Sequence, residues 1–535
     1  MSRSNSQANL QARRNLLKLG TCGAMTNATF LSTLMHLKMT SAVMADGPSI
    51  VPTGGYKALV CLFFNGAIDS FNVLTPFGTT QADARYSEYA STRSGAALKR
   101  SAAWDGAWTG TDYGYLNPIV DSSSAGGTGR TFGLHPRFTY LKQMYDAGHA
   151  TMVANCGSLV VPLANNNDFN NASKVKPIGL FSHPDLQKHW QTAVPTSRNQ
   201  VKGWGGKMMD LFTDPALAAS QSNVYSAIST AGQSLLLTGN RITPYSIGNV
   251  TNAVPNGGAV LAAGFTAPTD PQNAPYGNLP GNAYDRIYTK VQRDLASQTY
   301  VDILEKTSRD SSVGARDAAA AFQTAFLGTN GDLPTAPAVP FPTTGLGTSL
   351  NAVARAISIA SNPSAAAPLR QDRQIFLVQV GGWDHHANVI TNQDNMIPLI
   401  DNGLKAFYDF LISKNLLDKV TLFSISDFGR TFSFNGSGTD HAWGGNPIVM
   451  GGAVNATAGN NRIWGTYPNI VLNTSGTGID RGRGVLIPQT SSDLYHADIC
   501  RWFGMPDNRL NEVLPNIGNF PYQGGSKPVG FLNYT

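Results

Sequence analysis

The feature that most constrains this chain is a set of short, unbroken apolar runs that stop abruptly at polar turns. "KALVCLFF" (Lys57 to Phe64), "QIFLVQV" (Gln374 to Val380) and the stretch from Lys419 to Ser426 are strand-length and rich in branched and aromatic residues. A strand with one wet face alternates apolar and polar residues. A strand that does not alternate must be covered on both faces, as parallel strands in α/β proteins are. Helix-length segments lie between the runs: Pro136 to Ala147, a start at Ser182, Trp204 to Phe212, Ala283 to Leu327, Leu350 to Ala360 and Met396 to Leu416. "HATMVANC", ending at Cys156, reads as a further strand, and "VYSAIST" and "QSLLLTG" read as strands that could form a hairpin. Ser492-Asp493 can cap a last helix that runs to Trp502 and stops at Gly504. The alternation predicts a mostly parallel α/β sheet with helices on both faces.

Stretches rich in Gly, Pro, Asn, Thr and Ser near 76–130, 250–282 and 328–347 read as insertions in a single domain spanning 46–535. The net charge of +6 does not mark a nucleic-acid surface, because Arg3, Arg13, Arg14, Lys18 and Lys38 fall in the first 45 residues, where no acid occurs. The rest is near neutral, which excludes a basic stripe. Those 45 residues resemble a twin-arginine export signal, with "ARRNLLKLG", a mildly apolar run and small residues before Asp46. Periplasmic or extracellular placement follows as an expectation. No stretch elsewhere predicts a transmembrane segment. Cys61 and Cys156 sit in apolar runs and read as inert buried thiols rather than a disulfide framework.

In an open parallel sheet, ligands bind beyond the carboxyl ends of the strands. After the first run comes Asn65-Gly66-Ala67-Ile68-Asp69-Ser70, after the second Gly381-Gly382-Trp383-Asp384-His385-His386, and after the third Asp427; Asp440-His441 lies in a later glycine-rich loop. Carboxylates and imidazoles gathered from separate strand ends suit a hydrolytic metal site. Asp69, Asp384, His386, Asp427, Asp440 and His441 are the candidate ligands, for zinc first, with calcium, magnesium or manganese also compatible. Each has a plainer reading: Asp69 can cap a turn, Asp427 can pair with Arg430, and Asp440-His441 can belong to an ordinary surface loop. In "FSHPDLQKHW", Ser182 is either an N-cap hydroxyl or a group that attacks or binds a substrate anion, with His183 beside it as ligand or acid-base group. No GxGxxG, Walker, GxSxG or HExxH motif occurs.

The pieces "LVCLFFNGAIDSFNVLTP", "FGLHPRFTYLKQMYDAG", "SHPDLQKHW", "GWGGKMMDL", "GGWDHHAN", "SDFGRT", "GTDHAWGG" and "RWFGMPD" occur in the order typical of the bacterial family called domain of unknown function 1501. The chain resembles that family over nearly its whole length beyond residue 45. The family is distantly similar to the alkaline phosphatase and sulfatase superfamily and often carries a twin-arginine signal. The resemblance implies a three-layer α/β/α sandwich with metal ligands at strand ends. Carried over by position, Asp69 resembles the acid after the first strand, Ser182 falls near the nucleophile, Asp384 and His386 resemble ligands of one metal, Asp427 the acid of an Asp-His pair, and His441 the late histidine. The chain departs from the pattern at Phe428, where the superfamily has histidine, and at Pro184, His385, Asp427 and Ala442, where the family commonly has an aromatic, Thr, Glu and Gly.

Two functions follow as expectations. One is an exported metal-dependent hydrolase of phosphate or sulfate esters, in which Ser182, His183 and Arg430 act on an anionic ester. The other is a non-catalytic envelope protein on the same scaffold, binding a partner or glycan. Neither requires nucleic acid, and the sequence leaves the oligomeric state open.

Overall fold

Residues 49–122, 130–213, 225–247, 340–365, 369–456 and 462–534, with isolated positions between 298 and 309, are described by a computed structural model of the chain. The expected export segment, the 250–282 insertion and nearly all of the helix expected over 283–327 lie outside them.

In chain order the elements that matter here are β1 (Lys57–Phe64), β2 (Leu74–Pro76), α1 (Ala84–Arg93), β3 (Asn117–Asp121), β4 (Arg130–Leu134), α2 (Thr139–Asp146), β5 (Ala150–Ala154), α3 (His183–Thr192), α4 (Trp204–Phe212), β6 (Ala227–Ser229) and β7 (Tyr245–Ser246). They continue with α5 (Gly345–Ser361), β8 (Arg373–Val380), α6 (Val389–Ser413), β9 (Val420–Ser426), β10 (Ile448–Met450), β11 (Trp464–Gly465) and α7 (Ser492–Phe503). Eight strands form one sheet in the order β11-β5-β10-β9-β1-β8-β6-β7. Every pairing is parallel except those of β10, which runs against both β9 and β5.

β1 is central, and its side chains explain the missing alternation. Ala58, Val60, Leu62 and Phe64 face a core built with α2, α5 and α6, through residues such as Leu141, Val353, Ile357, Leu404 and Phe407. Leu59, Cys61 and Phe63 face a second core with Trp204 and Met208 of α4 and Leu494 and Ile499 of α7. Both sides are dry, so both parities of the strand are apolar. The result is the expected α/β/α sandwich. Cys61, Cys156 and Cys500 are free and buried, and burial raises their thiol pKa values, Cys500 beyond the titratable range. No helix among the described residues is long and apolar enough to cross a membrane.

Four expectations need correction. The 76–130 stretch is not plain loop: β3 and β2 flank β4 in a separate antiparallel sheet, and α1 follows β2. "QSLLLTG" is turns, not a strand. It is apolar because Leu236 and Leu237 are buried where the backbone around Gly203 and Gly206 meets Thr238 and Leu236, in hydrogen bonds of 2.9 and 2.8 Å. α5 and α6 begin earlier than expected, at Gly345 and Val389, since the polar first turns of α6 hide its apolar face and Pro398 lies inside it. The cap of α7 is Ser491 rather than Ser492, with its hydroxyl accepting from Leu494 N at 3.1 Å.

At the other end α7 closes on Gly504, whose φ of 113° is a conformation L side chains rarely adopt. Asp493 in its first turn is wholly buried, and burial pushes its carboxyl up to about 8 against opposing main-chain hydrogen bonds. A carboxyl raised in the folded state stabilises fully below its unfolded pKa, and that contribution is lost as pH rises through about 8. Asp493→Asn is therefore expected to leave stability unchanged at pH 4 and to raise it by at least about 1 kcal/mol at pH 8, as read from urea unfolding.

Candidate metal centre

β1 ends in step with its neighbours, Phe64 pairing with Val380 of β8 and Ser426 of β9. The turns that follow all three strands therefore leave the sheet at one rim. β10 runs the opposite way, so the loop that precedes it, carrying Asp440 and His441, arrives at the same rim. α3, which follows β5 in the chain, presents His183 in its first turn.

Four donor atoms gather there. His183 Nε2 lies 3.1 Å from His441 Nε2, and His386 Nε2 lies 3.0 Å from the same atom. Asp384 Oδ1 is 3.1 Å from His386 Nε2 and 3.5 Å from both His183 Nε2 and His441 Nε2. The other nitrogen of each ring is engaged. His183 Nδ1 meets Asp427 Oδ2 at 2.5 Å, His386 Nδ1 meets Asp440 Oδ1 at 3.1 Å, and His441 Nδ1 meets the Phe181 carbonyl at 2.8 Å. Carboxylate and carbonyl oxygens only accept, so each Nδ1 carries a proton, and a ring with no second proton leaves Nε2 bare. Bare electron pairs 3 Å apart repel unless a positive charge lies among them. Tetrahedral ligands at zinc distances of about 2.0–2.2 Å stand about 3.3–3.6 Å apart, close to these spacings. His183, Asp384 and His441 could thus hold a divalent cation, with His386 beside the last two.

The supports around the group come from the sequence locally. Gly66, with φ 109°, donates its N–H to both Asp427 oxygens at 3.3 and 3.2 Å, and a Cβ there would meet the Trp383 and Asp384 backbone at 3.0 Å. Gly429 packs on Gly444 so closely that any side chain would collide with its carbonyl. Gln187, one turn along α3 from His183, adds a 3.0 Å hydrogen bond to Asp427. Phe428 is buried with its ring 4.7 Å from that of His183 and 4.8 Å from that of His441. It forms an apolar wall beside the two rings.

The structure sorts the expected residues. Asp384, His386 and His441 contribute donor atoms, and His183, expected beside Ser182 in a catalytic role, joins them. Asp427 and Asp440 stand behind histidines and orient them. Asp427 does not pair with Arg430. Instead Arg430, wholly buried, binds Asp384 and the carbonyls of Ala67, Thr439 and Gly66, at 3.0, 2.7 and 3.1 Å for the carbonyls. Its guanidinium is spent on holding the rim together rather than on an ester. Asp69 does not join the donor group, because both its oxygens are taken by Arg93 of α1, at 2.5 and 2.8 Å, with both side chains fully buried. Ser182 is the N-cap residue of α3, yet its hydroxyl makes no capping bond. It helps Arg198, the larger influence, hold the Asp185 carboxyl below its ordinary range. Arg93, Asn435, Gln187, Arg483 and the Phe181 carbonyl were not foreseen; only Gln187, four residues after His183 on the same helix face, left a readable signal.

Two acids at the rim and the His441 ring are held below their ordinary pKa values. Burial raises the Asp384 carboxyl, but the Arg430 hydrogen bond and charge, with His386 and His183, bring it below the usual value. Asp440 is lowered likewise, against burial, by Asn435, His386 and Arg483. Burial lowers His441, partly offset by the Phe181 carbonyl.

Residues 364–468 match the family described as Protein of unknown function (DUF1501). That segment contains Asp384, His386, Asp427, Arg430, Asp440 and His441, while Ser182 and His183 lie outside it. No curated protein matches the chain. Among solved structures, the soluble domain of lipooligosaccharide phosphoethanolamine transferase A from Neisseria meningitidis is similar at 10% identity over 88% of this chain and 95% of that one. Its TM-score of 0.28 is too low to carry an argument about fold or chemistry.

The Asp69–Arg93 pair offers a direct check of its structural role. Arg93→Ala leaves a buried carboxylate unpaired and is expected to cost about 3–5 kcal/mol in chemical denaturation, whereas changing Arg93 and Asp69 together to apolar residues of similar size should recover most of it.

Proposed function

We propose that this protein is an exported, metal-dependent hydrolase of phosphate or sulfate esters. The observation that carries the reading is the convergence of three Nε2 atoms and one carboxylate oxygen, each ring held by an acceptor on its far nitrogen. Metal-bound histidines are held from behind in this way. Three imidazoles with one carboxylate suit zinc better than calcium or magnesium, which prefer oxygen throughout. Zinc bound there supplies a water of lowered pKa and polarises an ester oxygen. The chain's own residues do the rest. Asp427 and Asp440 keep their histidines aimed, Arg430 fixes Asp384, and Phe428 excludes water from the inner side of the His183 and His441 rings. Ser182, with its hydroxyl near Asp185 and its N–H bonded to the Gly179 carbonyl at 3.0 Å, is poorly placed as the attacking group; water is the simpler nucleophile. Export rests on the first 45 residues alone.

One observation favours the non-catalytic reading. Arg430 and Ser182, the groups expected to act on an ester, are engaged instead by Asp384 with three main-chain carbonyls and by Asp185.

Elemental analysis of the purified chain should find one zinc per molecule, and a panel of phosphate and sulfate monoesters should include one whose turnover disappears in Asp384→Ala. Metal without turnover on the whole panel supports the scaffold reading; neither metal nor turnover removes both the ion and the enzyme. Asp427→Asn should keep the fold by circular dichroism and weaken zinc about 10–100-fold in chelator competition, because the ring of His183 loses its charged anchor.

A further inference from the structure

One cation at the rim is held in a way that no ordinary surface arginine needs. Gly482, Arg483 and Gly484 adopt positive φ in succession, 112°, 59° and 78°. The turn is clasped from both sides. Asp480 Oδ1 accepts from Gly482 N and Gly484 N, each at 2.8 Å, while Phe432 N donates to the Gly484 carbonyl at 3.0 Å and Ser433 N to the Arg483 carbonyl at 3.2 Å. Glycine is required at 484, where a Cβ would lie 2.5 Å from that of Phe432. Position 483 has the same left-handed backbone and would be eased by glycine, yet it carries arginine. Backbone strain of this kind gathers where a side chain is used. The Arg483 side chain is 62% exposed and binds Asp440 Oδ2 through Nη2 alone; among the described residues its Nε and Nη1 meet no acceptor.

We infer that Arg483 is a substrate-binding residue for a second anionic group, so that the ester taken at the rim carries a further phosphate, sulfate or carboxylate beyond the one held by the ion. This rests on the metal reading above, with the ion on His183, Asp384 and His441. Between that ion and the guanidinium stand the His386 ring, whose Nε2 is 3.0 Å from His441 Nε2, and the Asp440 carboxylate, 3.1 Å from His386 Nδ1. Arg483 therefore meets a charge farther out on the substrate rather than the oxygens on the metal. The surroundings point the same way. Arg481, in the same turn, lies over the Phe169 ring at 4.1 Å, and Lys176 Nζ lies 5.9 Å from that ring, with no carboxylate among the described residues paired to either. Lys174 is matched by Asp168 at 2.8 Å. Arg481, Arg483, Lys174 and Lys176 thus face only Asp440 and Asp168 along this edge, and the excess of positive charge attracts anions.

Zinc-loaded protein is titrated calorimetrically with hexyl phosphate and with 1,6-hexanediol bisphosphate, which present the same chain with one anion or two. The native chain should bind the bisphosphate at least about tenfold more tightly, the worth of one charge-assisted contact. Arg483→Gly suits the backbone of the turn, so it should keep the melting temperature and the zinc, hold hexyl phosphate affinity within about twofold, and lose the preference for the bisphosphate. Arg483→Lys should keep most of that preference. Equal affinity of the native chain for the two probes overturns the inference, as does a preference that survives Arg483→Gly, and Arg483 is then only the clasp of Asp440. Hexyl phosphate bound to zinc-loaded native protein with no preference leaves the metal centre standing without this residue; a native chain that holds no zinc removes both.

Discussion

The parallel register of β8, β1 and β9 is the constraint on which the rest depends. Because Phe64 lies level with both Val380 and Ser426, three chain segments distant in sequence turn away from the sheet at one height. Hydrophobic burial on both faces fixes that register, since a slip of one residue would exchange every side chain between the two cores. The polar rim is therefore positioned by forces that involve no polar group. The same logic admits β10, whose reversed direction delivers His441 from a loop that precedes a strand instead of following one.

Above this frame the rim is stitched by backbone as much as by side chains. Arg430 reaches three main-chain carbonyls from two separate turns, and it also forms an antiparallel bridge with His441. Where loops must nearly touch, as at Gly429 against Gly444, only a residue without a Cβ fits. Ala67 and Phe181 adopt positive φ of 65° and 70° without that excuse, and each presents its carbonyl to a key side chain, Arg430 and His441 respectively. Strained backbone of this kind persists only when the surroundings over-determine it.

Much of this was legible in the sequence, for reasons that can be named. Continuous apolar runs report two-sided burial, so the parallel sheet and its covering helices could be read directly. The rule that sites form beyond strand ends selected Asp384, Asp427 and, through the neighbouring glycine-rich loop, His441. What could not be read was the division of labour among the acids. Asp69, Asp384 and Asp427 follow strands in the same manner, yet one is neutralised by Arg93, one offers an oxygen to the group, and one stands behind a ring. That difference is decided by partners 24, 46 and 244 residues away, and local pattern carries no trace of them. The 76–130 stretch misled for a related reason, since its turn-rich composition conceals the short strands that pair only with one another.

The Arg93–Asp69 pair has a consequence for how this fold can vary. α1 belongs to a stretch that looks dispensable, a decoration hung between the first strand and the body of the domain. Its last residue nevertheless carries the cation that lets an acid exist in the dry interior directly below the rim. Trimming the decoration strands that acid, so a shortened descendant would have to give up the carboxylate at position 69 in the same step; the two can be lost only as a couple.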